Sequence, residues 1–192
     1  MKKATVIIIV IIILALAALI VYHNSGGRTT TFNAPPSANT QINTTTPMTI
    51  SSSAFLDSQA IPKQYTCDGD GINPPLQFND VPGEAKSLAL LVEDPDAPTG
   101  TWIHWLMWNI PPTVTEIAQN SVPQGAVQGQ GSSGQNVFGA PCPPSGIHHY
   151  IFTVYILDSK LTLPSYSTAE NLQSAMQGHI ITQAQIIGLY GR

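Results

Sequence analysis

The hydrophobic positions of this 192-residue chain fall into blocks of unlike period. Ala4 to Tyr22 is an uncharged run of mostly Ile, Val, Leu and Ala behind Lys2 and Lys3. It shows no amphipathic period, and at about 1.5 Å per helical residue it approaches the roughly 30 Å hydrocarbon core of a bilayer. Residues 1–22 are therefore predicted to form a transmembrane signal anchor, lysines cytoplasmic and everything after Tyr22 outside. Ala15-Leu16-Ala17 offers a cleavage pattern, so secretion after processing is the alternative; the unbroken run through Val21 favours the uncleaved anchor. His23 to Pro47 is rich in Thr, Asn and Ser and contains Pro35-Pro36. Its apolar surface cannot offset its ordering entropy, which predicts a disordered tether. Asn43-Thr44-Thr45 within it is a glycosylation sequon.

From Met48 to Arg192 the pattern changes. SLALLV at Ser87 to Val92, WIHWLMWNI at Trp102 to Ile110 and YIFTVYIL at Tyr150 to Leu157 are short apolar runs bounded by Pro, Gly or Asp. Their length and their β-branched and aromatic content predict strands. Gln183 to Tyr190 reads as another, with a helix continuing past Gly178 as the alternative. One helix is predicted: Ser167-Thr168-Ala169-Glu170 has capping-box spacing, Leu172 and Met176 share a face, and Gly178 can end it. Residues 48–192 are long enough to bury a core unaided, and the pattern predicts a mainly antiparallel β domain with its little helix late in the chain.

Composition narrows the function classes. Only 9% of residues are charged, and net charge is −4. Without Lys2, Lys3 and Arg28, four bases face eleven acids, which argues against a nucleic-acid partner. Two cysteines are too few for a disulfide-framework miniprotein or a four-cysteine zinc site.

The candidate chemistry lies at strand ends. Asp94-Pro95-Asp96-Ala97-Pro98 follows the strand ending at Val92, and its prolines stiffen an acidic loop. At period 2, His104 shares a face with Trp102 and opposes Trp105, while His148 and Tyr150 share a face and His149 points away. GAPCPPSGIHHY at Gly139 to Tyr150 is a second stiff loop feeding a strand. Each element alone reads better as a solvated turn or a satisfied core histidine. Brought together, His104, His148, Tyr150 and the aspartates form a pocket whose imidazoles can donate to a phosphate- or carboxylate-sized anion.

TCDGDGINPPL at Thr66 to Leu76, LLVEDPDAP at Leu90 to Pro98, TWIHWLMWNIP at Thr101 to Pro111 and APCPPSGIHHY at Ala140 to Tyr150 resemble successive signatures of the phosphatidylethanolamine-binding protein family. The similarity is strongest to its bacterial and archaeal Raf-kinase-inhibitor-like branch and covers nearly all of 48–192. The resemblance implies a β fold of two antiparallel sheets packed together with a few short helices. It also implies an anion pocket whose ligand-binding residues are Asp94, Asp96, His104, His148 and Tyr150, with Pro141 and its neighbours as a wall. Cys67 and Cys142 both fall in these motifs, and an external compartment permits a disulfide between them; two separate thiols are the alternative. Two departures imply a reshaped pocket rim: GQNVFGAPCPP is shorter than in relatives, and Ala140 stands at a common glycine position. The expected function is a membrane-tethered extracytoplasmic binding module for a small anionic or phosphorylated ligand, acting as an inhibitor or ligand-binding regulator. No catalytic residue, metal or cofactor is assigned. A metal-dependent or serine hydrolase (Ser132, Ser133 or Ser145 near His148) is the alternative, but no Gly-x-Ser-x-Gly elbow supports it.

Overall fold

The computed structural model describes residues 47–192. The anchor expected over 1–22 and all of the tether but Pro47 lie outside the described residues. Among those described, no helix is long and apolar enough to cross a membrane.

Among the described residues, nine strands form two sheets. The larger has the order β2-β9-β8-β4-β5-β7, built from Gln59–Ala60 (β2), Ser87–Asp94 (β4), Trp102–Ile110 (β5), Val127–Gln128 (β7), Ile147–Leu157 (β8) and Ile180–Gly191 (β9). The smaller is β1-β3-β6, from Thr49–Ser51 (β1), Leu76–Asn79 (β3) and Glu116–Ile117 (β6). One pairing departs from the antiparallel expectation: β2 runs parallel to the edge of β9, Gln59 opposite Gly188. The helix predicted around Leu172 and Met176 is present, and the few short helices that the resemblance implies reduce to it and one turn. Among the described residues there is one α-helix, Ala169–Met176 (α1), and a 3-10 turn at Lys63–Tyr65.

The apolar run of β4 lacks alternation because the strand is buried on both faces. Leu88, Leu90 and Val92 face the small sheet, in a core shared with Ile50, Leu76, Phe78, Trp105, Tyr150 and Phe152. Ala89 and Leu91 face the other way, under Leu106, Trp108, Leu157 and the α1 residues Leu172 and Met176. The cap of α1 sits one residue later than the expected box. Thr168 is the N-cap, and its N–H donates to Asn171 Oδ1 at 3.0 Å. Ser167 is buried instead, and its carbonyl accepts the Gln130 N–H. Gly178, at φ +78°, follows the helix, after which the chain returns as β9 rather than extending the helix.

Two irregularities interrupt the β4–β5 ladder. Leu88 pairs with Ile110 but Leu90 with Met107, and Asn109 absorbs the extra residue at φ +57°. Its amide clamps the Leu161 backbone from both sides, at 2.9 and 2.8 Å. In the second, Val92 pairs with Trp105 and Glu93 with Ile103, leaving His104 as the extra residue.

Candidate functional site

That second bulge decides where His104 points. A bulge puts two residues opposite one and breaks strict alternation. Ile103 packs with the outer cluster and Trp105 with the core between the sheets. His104 turns to the same side as Trp105, its ring edge-on to Tyr150 at 5.1 Å. The expectation that His104 opposes Trp105 is corrected by this inserted residue; its shared side with Trp102 holds, since both line one cavity.

The cavity, about 410 Å³, opens where β4, β5 and β8 meet the two proline-rich loops. Asp94, His104, His148 and Tyr150 form its polar part. Ala97, Pro98, Thr99 and Trp102 make one wall, and Ala140, Cys142, Pro143 and Pro144 the other. Asp94 is buried, yet each oxygen is satisfied: Oδ1 accepts the Asp96 N–H at 2.9 Å and Oδ2 accepts His148 Nδ1–H at 2.7 Å. A carboxylate only accepts, so His148 carries a proton on Nδ1, and Nε2 remains as its second polar atom.

His104 is held by backbone. Its Nδ1–H donates to the Gly139 carbonyl at 2.7 Å, and its Nε2 lies 4.0 Å from Asp94 Oδ2. Burial holds the imidazole below its ordinary range, a displacement that His148 reinforces and that the Gly139 bond and Asp94 oppose. Glycine at 139 suits the close approach: a Cβ there would stand 3.1 Å from the His104 carbonyl oxygen, which would have to yield by a few tenths of an ångström. No side-chain pattern announces such a contact, and sequence reasoning missed it, as it missed Ser133 as a lining residue.

Tyr150 is fully buried, and its hydroxyl proton has no acceptor, although the Cys142 backbone N–H reaches its oxygen. Burial first, then Asp94, Asp96 and Tyr190, push the phenol well above its ordinary range, with the Cys142 backbone opposing. The hydroxyl is therefore a permanent donor at neutral pH, at the edge of a cavity with no acceptor assigned to it. Such orphaned groups are rare and costly.

Two expected pocket residues stand elsewhere. Asp96 turns outward, accepting both the backbone N–H and the Nδ1–H of His149, at 2.8 and 2.7 Å, and does not line the cavity. These His149 bonds hold its carboxyl below the usual range. The reason is the alternation of β8, which sends His149 to the surface while His148 and Tyr150 go inward. Pro141 is buried behind the wall, and its carbonyl accepts the Cys67 N–H at 3.1 Å; its neighbours supply the lining. Ala140 does line the cavity, and its φ is not positive, so alanine there needs no strained backbone. Cys67 and Cys142 form a disulfide with Cα atoms 5.4 Å apart.

A two-sheet β domain with a buried Asp–His pair, a second imidazole and a buried phenol lining one cavity is a binding-type fold. The model of the phosphatidylethanolamine-binding protein family matches residues 51–191, and the chain belongs to that family. A UPF0098 protein of Methanothermobacter thermautotrophicus is 47% identical over 150 residues, covering 76% of this chain and 99% of the relative. Among solved structures, a phosphatidylethanolamine-binding-protein homologue from Chlamydia trachomatis is 45% identical with TM-score 0.73, covering 76% of this chain and 97% of that one. E. coli YbcL, described as a member of the mammalian family, is 32% identical with TM-score 0.71, covering 76% and 98%.

Proposed function

We propose that residues 48–192 bind a small anionic or phosphorylated organic ligand in this cavity. In this reading they act as an extracytoplasmic ligand-binding regulator or inhibitor, tethered to the membrane by residues 1–22. The observation that carries the reading is the Tyr150 hydroxyl, a buried donor without an acceptor beside two imidazoles. An oxyanion supplies the missing acceptor. It also favours protonation of His148 and His104, which turns each Nε2 into a donor. The Asp94 charge is already engaged by His148 and the Asp96 amide, so it faces the guest partly neutralised. The walls of Pro98, Trp102, Pro143 and Pro144 suit an apolar substituent, and the volume falls within the range of organic-ligand sites. The family's name points to phosphorylated head groups as first candidates.

A thermal-shift series with inorganic phosphate, phosphorylethanolamine and carboxylate metabolites tests the reading. A ligand at 100 times its dissociation constant stabilises the fold by about 2.7 kcal/mol. No shift with any anion at millimolar concentration rejects the pocket function. The hydrolase alternative is separated by elemental analysis and phosphoester turnover. Stoichiometric metal together with turnover moves the conclusion to an enzyme.

A further inference from the structure

The disulfide is not buried scaffolding. Cys67 and Cys142 are both exposed, and Cys142 lines the cavity. Structural disulfides in exported proteins typically resist reduction, whereas exposed ones are the labile or regulatory class. The surroundings of the two sulfurs are also unlike. Arg192 Nη1 donates to Cys142 Sγ at 3.6 Å, whereas Cys67 precedes Asp68, whose carboxylate binds Arg192 Nη2 at 3.1 Å and the Tyr190 hydroxyl at 2.6 Å. A guanidinium stabilises a thiolate, so Cys142, whose sulfur the Arg192 side chain reaches, is the better leaving sulfur.

The bridge sits at the middle of the cavity wall. Backbone bonds tie that wall to His104 at Gly139 and to Arg192 at Gly146. Between those ties, the disulfide and the Cys67 N–H to Pro141 bond fasten it to the Cys67 loop.

We propose that Cys67–Cys142 is a thiol–disulfide exchange site for a dithiol reductant, and that opening it releases the Ala140–Pro144 wall and weakens ligand binding. The first part stands on the bridge alone; the effect on affinity rests on the anion-pocket reading. A thiolate of the dithiol attacks Cys67 Sγ, and the bridge electrons leave on Cys142 as a thiolate beside Arg192. The reductant's second thiolate attacks its own sulfur in the mixed disulfide, expelling Cys67 and closing the oxidised dithiol. Two electrons pass to the protein, and the two cysteines take up the protons that the dithiol gives.

The test uses the oxidised full-length protein in detergent, treated with dithiothreitol without denaturant, with thiols counted by alkylation and mass spectrometry. Reduction is expected while the far-ultraviolet dichroism is retained. Arg192→Gln should slow it measurably, since a leaving thiol of higher pKa departs more slowly. Glutathione trapping of the unmutated protein should place the mixed disulfide on Cys67. The His148 and His104 ring resonances should move on reduction while that of His179, remote from the wall, stays. Inorganic phosphate should bind the reduced form at least threefold more weakly. A bridge that opens only after denaturation overturns the exchange site. Glutathione on Cys142, or an unchanged rate in Arg192→Gln, overturns the leaving-group assignment. Unmoved histidine signals overturn the coupling to the cavity. Phosphate binding to neither form defeats the anion reading, while the rate and resonance measurements still decide the exchange site.

Discussion

Tyr150→Phe separates a ligand site from a packing defect, because the two predict opposite signs. The side chain is fully buried and its ring packs in the core with Phe152 and Val92. Phenylalanine keeps that ring and removes only the hydroxyl. In the unliganded protein the hydroxyl proton has no acceptor, and the Cys142 backbone offsets only part of its desolvation penalty of about 1–3 kcal/mol. The variant should be more stable by about 1 kcal/mol, raising Tm by roughly 3 °C in a domain of this size. Bound to an anion, the same hydroxyl donates to a charged acceptor, worth about 1.5–3 kcal/mol. Affinity for phosphate or phosphorylethanolamine should therefore fall roughly tenfold to a hundredfold. Differential scanning calorimetry without ligand and isothermal titration with it measure both. A variant destabilised by more than 1 kcal/mol that binds anions normally refutes the argument, since the hydroxyl then serves the fold and not a guest.

Other outcomes follow from the same geometry. His148→Ala should cost about 1.5–3 kcal/mol in anion affinity and His149→Ala far less; equal losses in two folded variants remove His148 from the site. Burial holds His104 below the ordinary imidazole value of 6.5, so the unfolded chain takes up its proton first. Its contribution to stability is full above about pH 6.5 and declines as pH falls toward the folded value. Urea midpoints at a series of pH values should show that slope, and His104→Gln should flatten it. Anion affinity should run the other way, weakening as pH rises through the bound-state histidine pKa values; a pH-independent dissociation constant contradicts the donor role. Residues 48–192 expressed alone should fold with the melting transition of the full chain, and protease applied to intact cells should remove them.

The long strands were legible because their signals are local. SLALLV, WIHWLMWNI and YIFTVYIL are buried on one or both faces, and a run of large apolar side chains in β4, β5 and β8 has few other places to go. The inward pair His148 and Tyr150 and the outward His149 followed from the two-residue period, which β8 keeps through that stretch. The family resemblance, carried by four ordered motifs, supplied the rest of the site list. The strands β1, β2, β3, β6 and β7, two to four residues each, were not legible. Segments so short have no period of their own and exist only through their partners. The helix cap was displaced by one residue because Ser167 and Thr168 are locally equivalent, and burial of Ser167 decided between them.

Register, by contrast, is a tertiary property. The inserted residue opposite the Val92–Glu93 step turns His104 to the side of Trp105 and into edge contact with Tyr150. Asp96 was drawn away from the cavity by an outward histidine on another strand, and the Gly139 carbonyl became the partner of an imidazole 35 residues away. Which residues are polar, which are rigid and which strands are buried can be read locally, since those depend on each residue and its near neighbours. Which polar atoms meet, and which are left without a partner, depends on pairing between distant strands, where a single extra residue re-aims a side chain.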